Sequence, residues 1–144
     1  MASSFGKRLR SLAAAASLSA ADLAAAAGLP RASAELWLSP EGNARADTTL
    51  GNALALCRVF SCSLSYLAGT SDVFGACPPP CDPRSFVSRL PVLLNKFGKT
   101  LHGMLRNTSV TDTHLRVWKS GGPVLLSDIV SVADFLSCTP DELL

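Results

Sequence analysis

Phe5, Leu9 and Leu12 recur at the spacing of one helical face, the first in a run of short amphipathic segments. Ser19 stands three residues before Asp22, a capping pair that opens a second helix with Leu23 inward. Gly28 closes that helix, because glycine tolerates the left-handed conformation past a helix end. Pro30 suits the first turn of a third helix, which turns Ala34 and Trp37 inward. After a loop rich in Pro, Gly and Asn, Asp47 is placed to cap a fourth helix burying Leu50, Ala53, Leu54 and Cys57. Ser63 to Leu67 makes a short fifth helix.

The same pattern then returns. An offset of 81 residues pairs Phe5 with Phe86, Leu9 with Leu90, Leu12 with Leu93, Ser19 with Thr100, Leu23 with Met104, Leu29 with Val110 and Trp37 with Trp118. Past the tryptophans the offset falls to 76, pairing Leu50 with Leu126, Ala53 with Ile129 and Cys62 with Cys138, so the first copy carries five extra residues in the loop after its tryptophan. In the second copy Thr100 and Thr111 are expected to cap helices two and three, and Ser127 to cap helix four. TPDELL reads as a capping box from Thr139 to Glu142 with proline at the first helical position. The expected fold is all-α: two five-helix domains, over 1–70 and 86–144, joined by a semi-stiff Pro- and Cys-rich linker over 71–85.

Composition bounds this picture without changing it. Hydrophobic residues make up 48% and charged ones 17% of the 144, which is a globular balance. The net charge of +2 divides evenly, with six basic against five acidic residues through Asp72 and seven against six beyond, so neither half carries a dense basic stripe. The basic and alanine-rich N-terminal run has the outline of a signal peptide, but Asp22 interrupts it and the helical reading accounts for each of its residues. No stretch approaches the ~20 apolar residues of a membrane span, and a cytoplasmic protein is expected.

Five cysteines, Cys57, Cys62, Cys77, Cys81 and Cys138, make an odd count that fits a reducing compartment. In CPPPC at 77–81 a polyproline II path of about 3.1 Å per residue separates the two Cα atoms by about 12 Å. A disulfide wants about 5.5 Å, so the pair bridges only if a cis bond folds the segment back. Cys57, Cys62 and Cys138 fall on apolar helical faces, and His102 and His114 lack paired ligand spacing, which leaves no expected metal site. Acidic residues are scattered, no Ser–His–Asp spacing recurs, and GKT at 98–100 lacks the upstream glycine and strand of a phosphate loop. No enzyme activity and no cofactor are expected.

RLRSLAAAASLSAADLAAAAGLPRASAELW followed by LGNALALCRVFSCSLSYLAGTSD resembles the lambda-repressor-like, Cro/repressor-type (XRE) helix-turn-helix family over nearly all of 5–72. KTLHGMLRNTSVTDTHLRVWKSGG with DIVSVADFLSCTPDELL resembles the same family across 86–144. The resemblance implies a third helix lying in the DNA major groove and reading base edges with its first turns. The matching solvent-facing positions are Arg31, Ala32, Ser33, Glu35 and Leu36 in copy one, and Asp112, Thr113, His114, Arg116 and Val117 in copy two. Copy one offers only Arg31 and Ser33 for base readout. Copy two is richer: Thr113, His114 and Arg116 can donate to bases, Lys99, Thr100 and Lys119 can reach phosphates, and Thr111 at the cap of the third helix is also an expected DNA-binding residue.

The chain departs from the family at two places. Ala20 and Leu101 replace the polar residue that usually follows the cap of helix two. Ala13 and Leu38, and in copy two Leu94 and Lys119, stand where the family ties helix one to helix three with an Arg–Glu pair. In RASAELWLSPEG, residues 31–42, Leu38 shares the face of buried Ala34, whereas Leu36 lies roughly 200° around the helix and points elsewhere. Leu36 is therefore the candidate protein-interface residue, with enlargement of the core and contact with thymine methyls as the other readings. The expected function is a repressor-like transcriptional regulator of phage or mobile-element type, binding double-stranded operator DNA and possessing a face suited to a homodimer. The alternative is a phage-type, anti-CRISPR-like antagonist of host defence that binds a host protein and also represses its own operon.

Overall fold

The computed structural model describes residues 4–40, 46–79 and 82–144. Among them the secondary structure is helical and no strand is formed, so the chain is all-α. Two compact units divide it, one of residues 1–48 and 52–78, the other of 49–51 and 79–144. The first holds α1 (Ser4–Ala15), α2 (Ala20–Ala27), α3 (Arg31–Leu38), all but the first two residues of α4 (Leu50–Phe60), and α5 (Leu64–Ala68). The second holds α6 (Arg84–Lys96), α7 (Leu101–Asn107), α8 (Asp112–Lys119), α9 (Leu126–Leu136) and a closing 3-10 turn, Pro140–Leu143.

Local chemistry sets most helix starts. Ser19 accepts from the Asp22 amide at 3.2 Å while the Asp22 carboxylate accepts from the Ser19 amide at 3.1 Å. Hydrogen bonding to the carboxylate by the Ser19 amide first, and by the Ser19 hydroxyl second, holds the Asp22 carboxyl below its ordinary range against the opposing effect of burial. This box is therefore complete above the usual carboxylate range and opens as pH falls through the lowered pKa. Ser63, Thr100 and Thr111 cap α5, α7 and α8 through their hydroxyls. The Thr139 amide donates to Glu142 at 3.0 Å at the head of the 3-10 turn, and Pro140 opens it.

Two expected caps fail. Asp47 does not cap α4: its carboxylate accepts from the adjacent Thr48 amide at 2.8 Å, and the helix begins later, at Leu50. The Asp47 carbonyl is drawn instead to the Trp37 indole N–H at 3.0 Å. Ser127 does not cap α9 either; Leu125 occupies that position without a side-chain bond, and Ser127 lies inside the helix. In both cases burial of the leucine at the helix start (Leu50 and Leu126) sets the boundary over the local polar residue.

The core of each unit centres on one tryptophan. Trp37 of α3 meets Phe5 of α1 edge to face, with ring centroids 5.7 Å apart and planes at 81°. Trp118 of α8 meets Phe86 of α6 at 5.6 Å and 72°. Such pairs contribute about 0.5–1.5 kcal/mol beyond the area they bury. Leu9, Leu23, Leu64 and Leu67 fill the first unit around its pair, and Leu90, Met104, Ile129, Val132 and Leu143 the second. Gly103 lets Phe135 approach α7: an added Cβ would meet the ring edge at 3.6 Å and the Thr100 hydroxyl at 3.1 Å.

The chain reverses in the left-handed conformation at matching places. Ser17 (φ 56°) and Gly98 (φ 66°) are related by the 81-residue offset, and Ser61 (φ 53°) and Ser137 (φ 56°) by the 76-residue one. The next amide in each case bonds back to a helix: Leu18 to Ala13 at 2.9 Å, Lys99 to Leu94 at 2.8 Å, Cys62 to Cys57 at 3.1 Å and Cys138 to Ala133 at 2.9 Å.

Residues after α5 lie against the first unit. The Ser63 amide donates to the Phe74 carbonyl at 2.9 Å, and the Phe74 ring stands 5.0 Å from that of Tyr66. Arg8 stacks 4.0 Å above the same tyrosine and reaches Asp72 at 3.5 Å. Cys57 and Cys62 are buried, Cys77 and Cys138 half-buried, and Cys81 falls outside the described residues. Burial, reinforced by Glu142, pushes the Cys138 thiol up, with Lys96 pulling weakly the other way. No described helix is long and apolar enough to cross a membrane.

Two outcomes follow from these contacts. Trp118→Ala should cost about 3–5 kcal/mol, the range for a buried aromatic, and abolish the native melting transition of its unit; an unchanged melting profile would show that the ring is dispensable. Ser17→Gly should stabilise and Gly98→Ser destabilise by about 1 kcal/mol each in urea titrations, since only the side chain's cost in the left-handed region changes. Equal stabilities would refute that account of the turns.

Candidate nucleic-acid interface

Thr111 sets the start of α8 and fixes which side chains leave its surface. Leu115 and Trp118 are buried, which sends Asp112, Thr113, Arg116, Val117 and Lys119 outward, all of them exposed. The Arg116 side chain makes no ion pair among the described residues. Lys99 and Thr100 sit at the head of α7, also exposed. The Thr100 hydroxyl is occupied by the Gly103 amide at 3.0 Å, and the Lys99 ammonium stands 5.3 Å from the Phe135 ring centroid, a cation–π distance that steadies its stem. Leu94 is buried, whereas Lys119 is exposed and adds a surface cation to the end of α8.

His114 differs from its neighbours in being half-buried. Its Nδ1 lies 3.3 Å from Asp128 Oδ2 and 3.3 Å from the Thr111 amide nitrogen. Asp128 is 3% exposed, and its other oxygen accepts from the Ser109 hydroxyl at 2.8 Å. The Ser109 amide in turn donates to the Ser131 hydroxyl at 3.0 Å. Sequence patterning missed Asp128 and Ser109, because a carboxylate on the apolar face of α9 has no partner within its own helix. One signal was available: the 76-residue offset places Asn52 opposite Asp128, a polar residue at the same register in both copies.

This Ser, His and Asp do not form a nucleophile system. The serine hydroxyl is spent on the carboxylate instead of standing against the imidazole, so no base is placed to take its proton. Among the described residues no three His, Cys, Asp or Glu side chains gather closely enough to hold a metal ion.

The corresponding face of α3 has another character. Arg31 Nε donates to Glu35 at 2.8 Å, an i,i+4 pair that occupies the helix's one cation. The 81-residue offset transposes the charges, placing Asp112 at the register of Arg31 and Arg116 at that of Glu35. Ser33 and Leu38 are half-buried, and Ala13 of α1 is buried. Leu36 is 59% exposed, the one large hydrophobic side chain exposed on α3, with Ala32 and Pro40 also exposed.

Because so much of Leu36 already faces water, Leu36→Asp should shift stability by no more than about 0.5 kcal/mol and leave the far-ultraviolet helical signal intact. A collapse of the melting transition would place this side chain in the core.

Comparison with family models, with curated proteins and with solved structures finds no match to this chain in any of the three.

Proposed function

We propose that the chain is a sequence-specific DNA-binding regulator of transcription, built as two tandem lambda-repressor-like helix-turn-helix domains, with α8 as its main reading helix. The observation that carries this reading is the exposed, unpaired Arg116 on a capped helix that also turns out Thr113 and Lys119. Arginine is the side chain best shaped to meet guanine O6 and N7 in the major groove, and one such contact is worth about 1–3 kcal/mol of discrimination. Lys99 and Lys119 supply charge for flanking phosphates. Double-stranded operator DNA is the partner on this reading, with no cofactor required and the cytoplasm as its compartment.

A second reading rests on α3. Its cation is paired with Glu35 and its centre is an exposed leucine, which suits contact with a protein better than with phosphates. A phage-type antagonist of a host defence protein, or a homodimer formed through Leu36, would use that face.

The deciding experiment is a salt titration of binding to duplex DNA from the gene's own upstream region. The regulator reading expects affinity to fall steeply with salt. Arg116→Ala with Lys119→Ala should weaken binding at least tenfold and reduce the slope of log K against log salt by about 1, for the one phosphate contact that Lys119 supplies. Arg31→Ala should change binding less, since that guanidinium is already engaged. No duplex binding at physiological salt, with capture of a purified host defence protein lost in Leu36→Asp, would favour the second reading.

A further inference from the structure

Ser63 and Thr139 are equivalent under the 76-residue offset, and each heads the last helical turn of its copy. The backbone amide at such a position needs an acceptor from outside the helix ladder. In the second copy the Thr139 amide donates to the Glu142 carboxylate at 3.0 Å. The residue at that register in the first copy is Tyr66, which has no carboxylate to offer. There the Ser63 amide donates instead to the Phe74 carbonyl at 2.9 Å.

Ser71–Gly75 thus does for α5 what one glutamate does for the closing 3-10 turn. The segment runs back from the tail of α5 to its head, in a bend where the Ser71 hydroxyl accepts from the Val73 amide at 3.1 Å. The Phe74 ring comes to 5.0 Å from that of Tyr66, and Asp72 reaches Arg8 at 3.5 Å. Gly75 completes the approach. Its φ is 67°, and a Cβ there would stand 2.8 Å from Ser63 Cβ and 2.9 Å from Ser63 Oγ, so only glycine fits against the cap. Little apolar burial holds the segment down: Val73 is 72% exposed and Phe74 44%, and the Asp72 carboxylate lies in water, where an ion pair is weak. Leu64 and Leu67 of α5, by contrast, are fully buried.

We propose that Ser71–Gly75 is a latch: closed, it caps α5 in place of the missing glutamate, and it opens by itself while the core of the first unit stays folded. Segments with few buried contacts open at a small fraction of the free energy of global unfolding. Opening moves the point at which the chain leaves α5. Closed, the chain departs from Gly75, beside Ser63 at the head of the helix; open, it departs past Gly69, at the tail. The chain that follows gains the length of five residues, Ser71 to Gly75, while the Ser63 amide loses its acceptor. The end of α5 is thereby coupled to the slack in the chain beyond it, whatever the protein binds.

Hydrogen exchange at single amides and chymotrypsin cleavage after Phe74, both on the full chain, test the latch. In the wild type the Ser63 amide should exchange through an opening that leaves the amides of α1 and α4 protected. Gly75→Ala should quicken both Ser63 exchange and cleavage after Phe74 about tenfold, the scale set by a side chain forced into the left-handed region. Exchange in α1 and α4 should not change. Phe74→Ala removes the ring and keeps the carbonyl, and should quicken Ser63 exchange in the same local manner. Tyr66→Glu restores the acceptor that the second copy uses; in that background Ser63 should stay protected and Gly75→Ala should leave its exchange unaltered. Should Tyr66→Glu fail to fold, Tyr66→Gln can make the same bond without the charge. Wild-type exchange at Ser63 in Gly75→Ala would overturn the proposal. Protection lost equally from α1 and α4, or a Gly75→Ala chain that does not fold, would place the segment in the core and overturn it too. A full tenfold effect of Gly75→Ala in the Tyr66→Glu background would show that the segment does not stand in for the glutamate.

Discussion

The edge-to-face contact between one phenylalanine and one tryptophan is the constraint on which each unit depends. Phe5 with Trp37, and Phe86 with Trp118, join the first helix of a unit to its third. The ring packs on the inner side of a helix of only eight residues, too short to hold its shape in water alone. Its outward side chains are therefore oriented by that contact. Arg116 and Thr113 face away from the core because Trp118 and Leu115 face into it. The caps add direction at the helix start, and the left-handed residues at 17, 98, 61 and 137 return the chain for the next helix.

On similar scaffolds the two outward faces have taken different chemistry. The α3 face neutralises its own arginine and leaves a leucine in the open. The α8 face keeps its arginine free, adds an exposed lysine, and holds a histidine 3.3 Å from a buried carboxylate. An exposed i,i+4 pair contributes only about 0.3–0.5 kcal/mol, so α3 gains little stability from its pairing. What that pairing changes is the availability of charge to a ligand. In the proposed division of labour, α8 reads DNA and α3 is the surface open to a protein.

The helical architecture was readable because it rests on local and periodic signals. Ser19 with Asp22, Thr100, Thr111 and Gly28 act within four residues of themselves, and the structure places them where spacing put them. Leu36 and Leu38 separated correctly into an exposed and a half-buried side chain, since 100° per residue leaves little freedom once Ala34 is inside. Asp47 and Ser127 misled because a plausible cap competes with tertiary burial of the leucine that follows, and burial prevailed. The approach of His114 to Asp128 was out of reach for another reason: Asp128 stands fourteen residues away on another helix, and only folding brings the two together. Chemistry that depends on one helix was legible; chemistry assembled from two was not.

Hydrogen exchange of the full chain, with and without duplex DNA from the gene's own upstream region, tests the central claim most directly. The account predicts added protection concentrated in residues 99–119, over the head of α7 and all of α8, with α3 exchanging as before. Protection centred on residues 31–38 would reverse the roles of the two helices, and no protection anywhere at physiological salt would contradict DNA recognition by this chain.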